Sequence, residues 1–398
     1  MQEQSTYSKY RNSFWGQSFP FAYVDMDLLD GNIQHILSRA GNKKIRIASK
    51  SVRCKYILKY ILESDSQFQG LMCFSAMEAV WLSEQGFDDL LIAYPVWDAQ
   101  EVRAICAEVR KGKQIICMVD LAAHVQQLNQ IAEMEDVILP LCLDLDMSSR
   151  FPGVHFGVFR SAIHTVDAAL ALQQLCQDAQ HVELMSLMGY EAQIAGLGDR
   201  IPGQFVKNKA VSLLKRLSQK QVARLRGEVV AALQAAGPDL RIVNGGGTGS
   251  MESTRLEAKV TEITVGSGFF ASHLFDYYQQ FRHLPAAGFA VQVVRKPQSG
   301  LFTCHGGGYI ASGTVGREKQ PLPYLPAGAR LHANEGAGEV QTPVVYKGEE
   351  KLALGDPIFM RHSKAGELCE RFNTLLLLRS GKVTMEVNTY RGDGKCFL

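Results

Sequence analysis

The feature that most constrains this chain is a regular beat. Between Lys44 and Gly268, short apolar runs alternate with stretches of helical periodicity. The runs lie at 44–50, 70–75, 89–95, 114–120, 137–146, 182–190, 240–247 and 261–268. Runs that are apolar on both faces belong to strands covered on both sides of a sheet. Helical patterns at 75–85, 99–111, 121–133, 166–177 and 218–236 fall between them. Strand, helix, strand in this order implies a parallel sheet. Eight such strands predict a closed (β/α)₈ TIM barrel, since an open doubly wound sheet usually has fewer.

The beat stops near Phe281. Gly, Pro and Thr rise, and short strand-like runs alternate with turns such as Pro326-Ala327-Gly328. A chain of 398 residues exceeds one ordinary core. The expected division is a barrel domain at 1–282 and a smaller, mainly β domain at 283–398, with residues 1–20 forming an arm that packs on the second. The 42 basic and 40 acidic residues leave a net charge of +2, which gives no electrostatic case for nucleic acid or an anionic membrane. No run reaches the ~18 apolar residues of a membrane span, and residues 1–20 lack the apolar core of a secretory leader. Nine cysteines without paired spacing read as reduced thiols, so a cytoplasmic protein is expected.

A barrel of this kind gathers its chemistry at the C-terminal ends of its strands. The first run ends on Ser49-Lys50-Ser51. Lys50 is either an exposed surface lysine or, if the barrel holds pyridoxal 5′-phosphate (PLP), the amine that binds it. The seventh run closes on Asn244-Gly245-Gly246-Gly247-Thr248-Gly249-Ser250, and the eighth on Gly266-Ser267. Glycine lets the backbone approach an anion closely, and the loops after strands seven and eight are this fold's phosphate site. A phosphate cup from Gly246, Gly247, Thr248, Gly266 and Ser267 is therefore expected. Arg150, past the fifth run, either holds a phenolate or carboxylate, or pairs with Asp144 or Asp146. Tyr190 and Gln193, after the sixth run, either line a flat ring or sit in the core. In the β domain, a helix over 362–370 would put His362, Cys369 and Glu370 on one face, a possible metal site. Cys304-His305 and Tyr309 supply further acid/base groups.

Taken together, these residues resemble the fold-type III PLP enzymes, in particular the D-threonine aldolase and D-serine dehydratase branch of the alanine racemase superfamily. The resemblance covers the entry Tyr23-Val24-Asp25-Met26-Asp27-Leu28, Arg46 to Lys50, Asp144 to Arg150, Gly189-Tyr190-Glu191 and Gly245 to Gly249. It implies a PLP barrel, a C-terminal β domain and usually a homodimer. It further implies that Lys50 is the Schiff-base lysine and base, that Arg150 holds the cofactor's phenolic oxygen, and that Tyr190 and Gln193 line the ring. Gly246, Gly247, Thr248, Gly266 and Ser267 would bind the phosphate.

Three positions depart from the pattern. Ala48 stands where the branch often has a histidine, and so does Gln193. Lys364 stands where a metal-binding Cys or Asp would follow His362 by two residues. A divalent ion (Zn or Mn) would then need Cys369 or Glu367, unless Lys364 itself supplies the charge. The expected activity is a lyase for D-β-hydroxy amino acids, by dehydration with deamination or by retro-aldol cleavage. The catalytic residues would be Lys50, His362 and Tyr309. An amino acid racemase, or a PLP-binding protein without turnover, is the alternative.

Overall fold

The computed structural model describes residues 5–397 apart from 238 and 315. Among the described residues, eight parallel strands close a barrel. In order they are Lys44–Ala48, Phe68–Cys73, Leu90–Pro95, Ile115–Val119, Leu139–Asp144, Val182–Gly189, Ile242–Gly245 and Glu262–Val265. The barrel closes where the eighth strand pairs with the first, Glu262 opposite Lys44 and Val265 opposite Ile47. Seven fall within the runs expected from sequence, and the second, Phe68–Cys73, starts two residues before its expected run at 70–75.

The barrel interior is packed, not hollow. Leu91, Ile116, Met118, Cys142, Met185, Met188 and Ile242 form one buried cluster, with Met72 against it. Flexible methionines fill the irregular spaces left between branched residues. Helices Ala76–Glu84, Ala99–Arg110 and Val166–Asp178 start on side-chain caps. Ser75, Asp98 and Thr165 each accept a hydrogen bond from a first-turn amide. The last helix before strand seven runs from Phe205 to Ala235 and starts well before the expected 218–236. Its first half carries exposed Phe205, Val206 and Leu213, which hide the amphipathic pattern.

The barrel's N-terminal end is closed by charge. Arg46 is fully buried and donates to Glu262 at 2.6 Å and to Asp89 at 2.9 Å. Asn244 and Gln69 add donors to the same Glu262 carboxylate. Gly70 makes room for this arrangement, since a Cβ there would lie 2.3 Å from the guanidinium.

Two compact units emerge. One is the barrel, formed by Leu37–Lys50 and Lys59–Gly266 together with Phe397. The other contains residues up to Ile36, Ser51–Leu58 and Ser267–Cys396. Its sheet has nine strands among the described residues. The long strand Ala287–Gln298 pairs antiparallel with Phe21–Asp25, which in turn pairs parallel with Thr374–Arg379. Phe21–Asp25 therefore belongs to the β unit, although the sequence division had placed it with the barrel. The arm packs on the same sheet: helix Thr6–Ser13 carries Tyr7 and Tyr10 against Phe359, and Tyr10 donates to Asp25.

Candidate active site

The first barrel strand ends at Ala48 and turns through a single 3₁₀ turn, Ser49–Ser51. Ser49 is buried and its hydroxyl donates to the Met72 carbonyl of the second strand at 2.9 Å. That bond pins the turn, and the next residue, Lys50, is exposed at the barrel mouth.

The glycine loop follows the seventh strand and is held by a buried carboxylate. Glu191 accepts hydrogen bonds from the Gly246 amide at 3.1 Å, from the Ser250 hydroxyl at 3.0 Å and from the Thr254 hydroxyl at 2.5 Å. The Gly247 amide donates to Ser250 Oγ at 3.0 Å. Gly246 has φ +79°, and a Cβ on it would lie 2.8 Å from Ile263. A Cβ on Gly247 would lie 2.9 Å from Ala195 and 3.3 Å from the Tyr190 ring. These two glycines thus shape the cup, while their amides serve internal acceptors. That corrects the expectation that both amides face an anion. Thr248 is buried in the same loop, and its carbonyl accepts from Arg39 at 2.7 Å. Gly266 follows the eighth strand, and Ser267 opens the short helix Ser267–Phe270.

Tyr190 lies half-buried beside Gly247, its phenol pushed up to about 12 by burial with Glu191 adjacent. Gln193 is buried elsewhere: its amide nitrogen donates to the Met147 carbonyl at 2.5 Å and to Ser218 Oγ at 2.9 Å. It braces the segment after strand five against the long helix, which corrects its expected ring-lining place.

Arg150 also sits differently. It is exposed on a small hairpin, Ser149–Phe151 with Val154–Phe156, facing His155 across the ladder. Among the described residues it pairs with neither Asp144 nor Asp146. The arginine at the end of strand five is Arg160. It donates to Asp144 at 2.6 Å and to the Ala93 carbonyl, and lies 4.8 Å over the Tyr94 ring. Burial pushes the Asp144 carboxyl up to about 7, against the pull of Arg160. Arg160 sits in an irregular loop, where no periodicity singles out one residue.

The β unit holds the remaining candidates. His362 follows strand Pro357–Arg361 and is fully buried, beside the Ala287 backbone. Burial, with Arg361 and His273 alongside, pulls its imidazole down to about 3. Lys364 donates to Ser312 Oγ at 2.9 Å. Among the described residues the Tyr309 hydroxyl, raised by burial, has no partner, and its ring lies under Arg371. The helix expected over 362–370 does not form. Gly366, at φ +75°, leads into a single 3₁₀ turn, Glu367–Glu370. Buried Cys369 faces Cys54 and Arg53, whereas His362 faces Arg361 and His273. The proposed metal pair is therefore not formed. Among the described residues no three His, Cys, Asp or Glu side chains gather as an ion would need. The residues present do not fit a divalent metal.

The sequence profile described as "Alanine racemase, N-terminal domain" matches residues 24–273. The chain belongs to this family. Among individual members, it is 21% identical over 252 residues to the 3-hydroxy-D-aspartate aldolase of Paracoccus denitrificans (strain Pd 1222). That match spans 63% of this chain and only 60% of the aldolase. In three dimensions it is similar to the D-threonine aldolase of Filomicrobium marinum, with a TM-score of 0.78 and 19% identity. That superposition covers 94% of this chain and 95% of the other. The D-threo-3-hydroxyaspartate dehydratase of Delftia sp. HT23 gives 0.74 at 17% identity, over 94% and 98% of the two chains. This alanine racemase-like architecture of barrel and mainly β unit covers nearly the whole chain. Among the described residues no helix is long and apolar enough to cross a membrane.

Proposed function

We propose that this chain is a PLP-dependent lyase acting on D-β-hydroxy amino acids, with Lys50 as the amine that holds the cofactor. One observation carries the reading: Lys50 stands exposed at the mouth of a barrel whose seventh-strand loop excludes side chains, as a phosphate ester requires. The similar aldolases and dehydratase, all named for D-3-hydroxy or D-threonine substrates, support it at the level of substrate class. A homodimer belongs to the same reading.

The residues fit PLP. Thr248, Gly249, Gly266 and Ser267 would hold its phosphate, Tyr190 would pack on the ring, and Arg160 or Arg150 would receive its phenolic oxygen. When bound, the cofactor draws electrons from the substrate's α-carbon and acidifies the proton there. Lys50 Nζ would hold the cofactor and, in the dehydration route, would be the base that takes this proton. In the dehydration the β-hydroxyl would then take up a proton and leave as water. In the retro-aldol route the α-proton stays, the β-hydroxyl would give up its own proton, and the Cα–Cβ bond would break to release an aldehyde, with a proton returned to Cα. His362 and Tyr309 are the proposed groups that assist the hydroxyl.

The test is to load wild type and Lys50→Ala with PLP, and to incubate each with D- and L-serine and D- and L-threonine. Wild type is expected to show the visible absorption band of the bound cofactor and to act on the D isomers. Lys50→Ala is expected to lose both. Pyruvate or 2-oxobutyrate identifies a dehydratase, and glycine with acetaldehyde an aldolase. A borohydride-reducible adduct surviving in Lys50→Ala would assign the amine to another lysine and overturn the reading.

A further inference from the structure

We infer that Glu191 and Arg226 are positioning residues for the cofactor phosphate: a buried ion pair that fixes the glycine loop without touching the ligand. The inference rests on the reading that the loop binds PLP. Glu191 is 1% exposed, yet its carboxylate receives four donors, two on each oxygen. Four is the full acceptor capacity of a carboxylate. Three of the four come from one short segment: the Gly246 amide, Ser250 and Thr254. One side chain at the end of strand six thus ties down the whole turn after strand seven.

The fourth donor explains how a carboxylate is tolerated beside an anion site. Arg226, fully buried on the long helix, donates to Glu191 at 2.6 Å, to Glu257 at 2.5 Å and to the Gly189 carbonyl at 2.8 Å. Unpaired, Glu191 would repel a phosphate through a low-dielectric medium. Paired, it keeps its hydrogen bonds while its charge is offset. Gly245 admits the guanidinium, because a Cβ there would lie 3.0 Å from its central carbon. A cavity of about 610 Å³ opens between the long helix and the segment after the loop, with Ile194, Val222 and Leu256 on its walls. Apolar packing therefore leaves this side open, and the register of helix against loop depends on the ion pairs.

An apolar brace could hold a helix to a barrel as well as a buried ion pair does. Only an acceptor can capture the Gly246 amide and fix the turn at positive φ. The pair therefore governs the cup's shape, and its effect falls on the phosphate.

The experiment compares affinities for PLP and for pyridoxal, which lacks the phosphate, in wild type, Glu191→Gln and Thr254→Val. Thr254→Val keeps side-chain shape and removes one donor to Glu191, so it remains informative if Glu191→Gln fails to fold. The expected result is PLP binding about tenfold weaker in either variant, the scale of one lost hydrogen bond to a charged group, with pyridoxal binding unchanged. Equal loss for both ligands would mean general damage to the barrel and would overturn the inference, as would unchanged PLP affinity. A wild type that binds neither ligand would overturn the cofactor reading itself, and this inference with it.

Discussion

Asp144 is the side chain whose ionisation the structure alters most informatively. It is buried at the end of strand five, with Oδ2 on Arg160 and Oδ1 without a partner among the described residues. Its folded value of about 7 lies above that of a free carboxyl. The folded state therefore holds an extra proton between about pH 4 and 7, and the stability from this group falls as pH rises through that window. Asp144→Asn should flatten that part of the curve, a difference on the order of a few kcal/mol in denaturant unfolding between pH 4 and 8. Parallel curves for the two proteins would show that Asp144 does not titrate there. Lys50 was legible in the sequence because a strand pattern led straight to it. Arg160 was not, because a loop residue acquires its partner only through the fold. Arg150 drew attention by standing closer to the strand, and it lies exposed on the Ser149–Phe151 hairpin.

At the scale of elements, all eight barrel strands could be located from apolar runs, since parallel strands buried on both faces leave an unbroken signature. What holds the barrel's N-terminal end was less visible. Arg46 alternates with Ile45 and Ile47, yet it is fully buried, against the usual exposure of arginine. Glu262 and Asp89 lie more than 40 residues away in sequence, so only barrel closure brings these charges together. Arg46→Met would take the cationic partner away from the buried Glu262 side chain. The expected loss is about 3–5 kcal/mol, read as a lower urea midpoint. Replacing Glu262 by Leu in the same protein should recover much of it. A wild-type midpoint for Arg46→Met alone would mean that the pair contributes little. The 362–370 segment failed as a helix for a local reason: Gly366 at positive φ breaks the turn that periodicity alone would have continued.

At the scale of the molecule, the change of texture near Phe281 located a second unit but not its full membership. Among the described residues the compact β unit takes in Ser267–Cys396, Ser51–Leu58 and the chain up to Ile36, because Phe21–Asp25 completes its sheet. Pairing between strands so far apart leaves no local trace in composition. This unit also holds two buried neutral histidines, His273 pulled down to about 4 and His362 to about 3. Both depressions mean that the unfolded chain binds protons first. Their contribution is complete above about pH 6.5 and is lost as pH falls toward 3. His362→Gln should therefore flatten the acid limb of unfolding, followed by circular dichroism between pH 3 and 7; an unchanged limb would place the acid sensitivity elsewhere. The interleaved sheet also sets an order of events during synthesis. Phe21–Asp25 leaves the ribosome about 350 residues before its parallel neighbour Thr374–Arg379. At typical translation rates that interval is on the order of tens of seconds. During it all eight barrel strands are made, while Phe21–Asp25 still has an open edge. That edge waits for Thr374–Arg379, and it is the step at which crowded expression is expected to produce aggregates first.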